Sequence, residues 1–234
     1  MEYDNKKLLD LSTEIAKEMI ECGGEVFRAE EAIRRIFDGN CSVFVLPTLI
    51  IAQSNDSIST KRIVRENEDL SKLCTLNALA RNLAGEDFVD INLNKGYSPI
   101  VRYISTFGAV FSFCVFFGGN LLDAIISGFI GLIISFAGYK RIGTPKFSSN
   151  LIDSFIAGSL ALLPSMITSI TNPNKIIIGT IMLLVPGLTV ANAIRDMMNS
   201  DLVAGLVEIA EAIMSALSIA FGVGGAMLIY NKLW

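Results

Sequence analysis

The sequence predicts a mainly α membrane protein in two parts. A small cytoplasmic α+β domain, residues 1–97, precedes a transmembrane domain of five helices, residues 98–234, the fourth broken at Pro186-Gly187. Three observations predict this. Residues 1–97 are mixed and charged, whereas residues 98–234 are mostly apolar and glycine-rich. The apolar part divides into segments of about twenty residues, the length that a bilayer crossing needs. Within the N-terminal part, Ser42–Ser54 is rich in β-branched and aromatic residues, while its flanks carry helical spacing.

Composition narrows the function classes. The net charge is −4, and no Lys/Arg cluster with interleaved aromatics occurs, which argues against a nucleic-acid partner. There is no histidine, so Ser-His and Cys-His catalytic pairs and the commonest zinc ligand are excluded. Cys22, Cys41, Cys74 and Cys114 are scattered without a CxxC pair, so they read as buried reduced thiols. Neither a metal nor a cofactor is implied, and no nucleophile–base pair marks an enzyme. The N-terminus, MEYDNKKLLDLS, lacks the apolar core of a signal peptide, and the first insertable segment begins near residue 99. The N-terminal part is therefore expected in the cytoplasm.

The first expected helix covers Leu8 to Met19 and ends at Cys22-Gly23-Gly24. A second runs from about Glu25 to Phe37, with Val26, Ala29, Ile33 and Ile36 on its apolar face. On it, Glu30-Glu31 and Arg34-Arg35 have the spacing of helix-surface ion pairs. Cys22-Gly23-Gly24 does not follow a strand and is not a nucleotide loop. Next comes a β segment, Ser42 to Ser54, in which Pro47 marks an edge or a bend. Asn55-Asp56 turns the chain into a return strand, Ser57 to Glu66. Asp69 to Ala84 is helical again. Residues 86–97 read as a short linker or an interfacial helix.

The five expected spans are Pro99–Phe117, Leu121–Tyr139, Leu151–Ile170, Lys175–Met197 and Leu202–Tyr230. Loop charges orient them. The connection after the first span carries no Lys or Arg, whereas the second connection carries Lys140, Arg141 and Lys146. The N-terminus is thereby placed inside and the C-terminus outside, with Tyr230 and Trp234 at the interface.

The stretch Ile176 to Gly205 is the chemical centre of the chain. An apolar run is interrupted by Pro186 and Gly187, and Thr189, Asn192, Arg195, Asp196, Asn199 and Asp201 follow at once. Proline removes a backbone donor and clashes with the preceding turn. Broken helices inside a bilayer must line a cavity or be buried in protein, and they mark the binding site in secondary transporters. The second half-helix is expected to start near Leu188, with Thr189 as its cap. Its N-terminal end could face an anion. Pro186, Gly187, Thr189, Asn192, Arg195 and Asp196 are thus candidate substrate-binding residues. A plain proline kink is the alternative. In the fifth span Asp201, Gly205 and Glu208 share a helical face, and Glu211 lies three residues beyond Glu208. A charge at mid-bilayer costs about 2.5–3.5 kcal/mol on insertion scales, so Glu208 and Glu211, with Asp201, are candidates for proton coupling. Asp123, Asp153 and Asp201 also suit helix caps at the water interface.

Two stretches carry a family resemblance. PGLTVANAIRDMMNSDLVAGLVEIAEA, Pro186 to Ala212, resembles the signature of the threonine/serine exporter family. ECGGEVFRAEEAIRRI, Glu21 to Ile36, is similar to that family's N-terminal motif, in which a small-residue turn precedes a helix with an Arg-x-Glu-Glu pattern. The resemblance implies an inner-membrane secondary exporter that takes threonine and serine or a dicarboxylate such as succinate. Five spans imply the larger half of a split system, a homo- or hetero-oligomer acting with a smaller transmembrane partner in the lipid bilayer. The rival expectation is a membrane-anchored regulatory or assembly subunit that does not itself bind substrate.

Overall fold

The computed structural model describes residues 5–64, 68–85, 97–139, 145–167 and 170–233. The expected linker at 86–97, apart from Tyr97, and the basic residues Arg65, Lys95, Lys140 and Arg141 lie outside the described residues, as does Trp234. The chain forms two compact units. The first joins residues 1–96 with 187–211, and the second joins residues 97–186 with 212–234.

In the first unit, α1 (Asn5–Glu21) and α2 (Val26–Ile36) pack on an antiparallel sheet of β1 (Ser42–Leu46), β2 (Leu49–Ser54) and β3 (Ser57–Arg62), in the order β1-β2-β3. The segment read as one long strand is two. Pro47 and Thr48 form the turn between β1 and β2, and Leu46 pairs with Leu49. Proline has no N–H for a ladder, so the chain turns where the ladder would lose its donor. Asn55-Asp56 closes the second hairpin, with Ser54 opposite Ser57. Alternation puts Val45, Ile50 and Ala52 on the buried face, against Leu9, Ala16, Ile20, Val26, Ala29 and Ile33. Then α3 (Leu70–Leu83), capped by Asp69 Oδ1 accepting from Lys72 N, packs Leu76 and Ala80 on Ile15, Met19 and Cys22. The expected ion pairs form at 2.6 Å between Arg34 and Glu30 and between Arg35 and Glu31.

The glycine pair after α1 closes that helix. Gly23 has φ +91°, Gly23 N donates to Ile20 O and Gly24 N donates to Met19 O. These two bonds make a left-handed helix stop that satisfies the last carbonyls. Gly24 has a separate reason to be small. A Cβ there would lie 2.7 Å from Met19 O and 2.9 Å from a Leu73 methyl.

In the second unit, α4 (Pro99–Phe116) and α5 (Leu121–Tyr139) form a hairpin, joined by α6 (Lys146–Ile167) and α7 (Pro173–Ile181). Small residues let these helices close. Gly128 meets the ring of Phe107, Gly131 meets Val110, and Gly179 lies against the backbone of Cys114. Asp123 caps the start of α5 as expected: its Oδ2 accepts from Asn120 N and its own N donates to Asn120 Oδ1. Its Oδ1 also accepts from Asn172 N, and Lys175 Nζ donates to Phe117 O, which knots the α4–α5 and α6–α7 turns together.

The interruption of the expected fourth span is wider than the Pro-Gly pair. The helix ends at Ile181, and Leu183 and Leu184 donate back three residues, to Thr180 O and Ile181 O. This tightening is how a helix runs out ahead of a proline. Helix α7 alone is about 14 Å long, short of a hydrocarbon core of about 30 Å. The next helix, α8 (Gly187–Met198), belongs to the first unit. Finally α9 (Leu202–Leu233) passes through both units, with residues 212–233 in the second.

Among the described residues three helices, α4, α5 and α9, are long and apolar enough to cross a membrane. Large side chains stand exposed along them, including Ile100, Ile104, Phe116, Phe129, Leu206, Phe221 and Leu228. In a bilayer these are the lipid- or partner-facing surface. Gly24→Ala is expected to destabilise the first unit by roughly 1–3 kcal/mol through overpacking. Thermal unfolding of the detergent-purified chain reads this as a lower midpoint.

Candidate functional site

The two motif stretches meet inside the first unit. Helix α2 starts after Glu25, whose side chain makes no capping bond. Its first amides would be open donors. Asp196, on α8, supplies the acceptors: Oδ2 takes Val26 N at 3.3 Å and Oδ1 takes Phe27 N at 3.2 Å. One carboxylate thus spans the first turn of a helix 170 residues earlier in the chain, where the helix dipole favours negative charge. Asp196 is fully buried.

Two neighbours reinforce the junction. Asn192 is buried, and its Nδ2 donates to Gly23 O at 2.9 Å. Arg195 Nη1 donates to Glu25 Oε1 at 2.6 Å, although the Arg195 side chain is 59% exposed. Arg28 approaches the other Glu25 oxygen at 3.5 Å. Thr189 is buried too, and with Asn192 and Asp196 it forms one face of α8 at i, i+3, i+7. This face comes from α8 being amphipathic: Val190, Ile194 and Met198 stand exposed opposite.

Thr189 is not the cap of α8. The helix begins at Gly187, so Thr189 lies inside its first turn. At Gly187 a Cβ would meet nothing within 4 Å, so packing gives no reason for glycine there. Pro186 ends the second unit and Gly187 resumes the first.

After α8 the chain turns by the same stop that ends α1. Ser200 N donates to Met197 O and Asp201 N donates to Asp196 O, with Ser200 at φ +70°. Asp196 is thus fastened by both its backbone and its side chain. Asp201 Oδ1 then accepts from Ala204 N and caps α9. Along α9 the buried residues Ala204, Gly205, Glu208, Ala212, Ser215, Ile219, Gly222 and Ala226 make a stripe of mostly small side chains. Glu208 is fully buried on this stripe, and Glu211 is half-buried. Among the described residues no group of three or more His, Cys, Asp or Glu could hold a metal ion.

The structure brings Asn192, Arg195 and Asp196 together with Gly23, Glu25 and the amides of Val26 and Phe27. Glu208 and Glu211 lie on α9, two and three turns into that helix. The reading of α8 by itself missed its N-terminal partners. The available signal was Glu25, a poor capping residue in front of a well-formed helix, which left the amides of α2 in need of an acceptor.

Glu30, on the next turn of α2, has its carboxyl pushed above its usual value of 4.5, chiefly by burial, with Asp201 adding repulsion and Arg34 opposing. A carboxyl raised on folding contributes stability that is complete below about pH 4.5 and is lost as pH rises through the raised value. Glu30→Gln is therefore expected to flatten the fall of the unfolding midpoint as pH rises above about 4.5. A second comparison separates the two charged residues of α8. Asp196→Ala leaves two amides unpaired and should cost about 2–3 kcal/mol. Arg195→Gln removes an exposed arginine from a Glu25 that keeps Arg28 at 3.5 Å, and should cost less, about 1 kcal/mol. Equal shifts in unfolding midpoint for the two variants would contradict the assignment of the junction to Asp196.

A family profile for the threonine/serine exporter (ThrE) matches residues 10–230, which include both motif stretches and the helices between them. No curated protein and no solved structure matches the chain significantly. The match covers nearly all of the chain, α8 with its α1–α2 partner included, and the chain belongs to the threonine/serine exporter family.

Proposed function

We propose that the chain is a subunit of an inner-membrane secondary exporter of small carboxylate-bearing metabolites, threonine and serine or a dicarboxylate such as succinate. It acts with a smaller transmembrane partner. The observation that carries this reading is Glu208, a fully buried carboxyl on the small-residue stripe of an apolar helix. Such a group is costly to place and is retained where it works, typically in proton transfer. Glu208 lies about 9 Å from the start of α9, with Glu211 about one turn further and Asp201 at the cap. We assign proton coupling to this series, with Glu208 as its principal member.

Substrate contact is assigned to the α8 segment. Pro186 and Gly187 open the chain, and Thr189, Asn192, Arg195 and Asp196 offer the polar groups. Arg195 suits a substrate carboxylate best, because its guanidinium is the exposed member of the set. The topology in this reading has five crossings, with α6 and α7 joining α4, α5 and α9, the N-terminus inside and the C-terminus outside. Helix α7, the tightened turn through residues 182–184 and the pair 185–186 together reach about 27 Å, close to the roughly 30 Å of a hydrocarbon core.

One observation favours a second reading, a regulatory or assembly subunit that binds no substrate. Asn192 and Asp196 are already engaged by Gly23, Val26 and Phe27. Efflux separates the two. The chain is expressed with and without its genomic neighbour in exporter-deficient cells preloaded with labelled serine, threonine or succinate. Partner-dependent efflux of one of these, reduced at least about tenfold by Glu208→Gln at equal membrane abundance, is expected. Efflux indifferent to both Glu208→Gln and Arg195→Gln would move transport to the partner and leave this chain the supporting role.

A further inference from the structure

We infer that the first unit holds a binding pocket for a small organic dianion, a phosphate monoester or a dicarboxylate, between α2 and α3. The cavity has a volume of about 520 Å³, inside the range of roughly 300–1,000 Å³ of small-molecule sites. It lies wholly within the first unit, and its assignment does not depend on what the chain transports.

Its walls follow from helical spacing. Arg28, Glu31 and Arg35 fall at i, i+3, i+7 on α2, so they face one way. Across from them α3 contributes Leu70, Leu73, Cys74, Asn77 and Arg81, again on one face. Three arginines and one glutamate leave two positive charges in surplus. Arg35 is held by Glu31 at 2.6 Å, and Arg28 makes only a long 3.5 Å approach to Glu25. Arg81 pairs with no described carboxylate. Guanidinium forks match the paired oxygens of carboxylate and phosphate, which sets the charge and shape of the ligand head. Leu70 and Leu73 set the rest: apolar lining favours an organic body over a bare inorganic ion.

Cys74 supplies the assay. It is exposed on the pocket wall, whereas Cys22 and Cys114 are buried. The full chain in detergent is labelled with a small maleimide, and modification of Cys74 is followed by peptide mass spectrometry. Succinate, adenosine monophosphate, inorganic phosphate and potassium chloride are titrated at matched ionic strength. Succinate or adenosine monophosphate is expected to slow Cys74 labelling at least about threefold, and saturably. Arg81→Gln should weaken that protection about tenfold, the value of one charge-assisted contact, without moving the unfolding midpoint. Protection by succinate alone assigns the dicarboxylate, and protection by adenosine monophosphate alone assigns the phosphate monoester. The proposal is overturned if neither protects, if potassium chloride or inorganic phosphate does as well, or if protection persists undiminished in both Arg28→Gln and Arg81→Gln.

Discussion

The first unit depends on one carboxylate meeting two amides. Helix α2 begins without a capping side chain, and Asp196 provides the missing acceptors from α8. Without it, two donors at a helix start would lose their acceptor, a cost of about 2–3 kcal/mol together. Because Asp196 is also fixed through its backbone oxygen by Asp201 N, the junction governs where α8 ends and where α9 begins. A single residue thereby ties the α1–α2 turn to the α8–α9 corner.

The junction explains residue choices that would otherwise look unrelated. Gly23 takes a left-handed turn and offers its carbonyl to Asn192. Gly24 clears Met19 O and Leu73. Glu25 gives up capping and instead takes Arg195 and Arg28. The family signature at residues 186–212 and the N-terminal motif at residues 21–36 are two halves of one packed arrangement. Buried polar contacts of this kind tolerate few substitutions, since each partner removed strands another.

Most helices were legible in the sequence because periodicity and end signals act locally: Leu121–Tyr139 was read to the residue, and Asp69 and Gly85 bracket α3 as expected. Two features were not legible. Pro47 marks an edge strand or a bend by sequence, but a proline followed by one residue is enough for a hairpin when both flanks can pair. The stretch after Pro186 was read as the second half of a span because hydropathy sums over a window and ignores direction. In α8 the polar residues Thr189, Asn192 and Asp196 lie on one face, which makes it an amphipathic helix of the first unit. What Asp196 touches lies 170 residues away, and no window of the sequence contains both partners.

That separation has a consequence for how the protein is made. The first unit is discontinuous: its residues 1–96 leave the ribosome well before its residues 187–211. At synthesis rates of about 5–20 residues per second, α2 waits roughly 10–35 s for Asp196 to appear. During that interval the second unit's first helices are synthesised while the N-terminal part stands with an open helix end and no α8. The closing of the first unit is therefore a late event in biogenesis, possible only after the intervening helices have been synthesised.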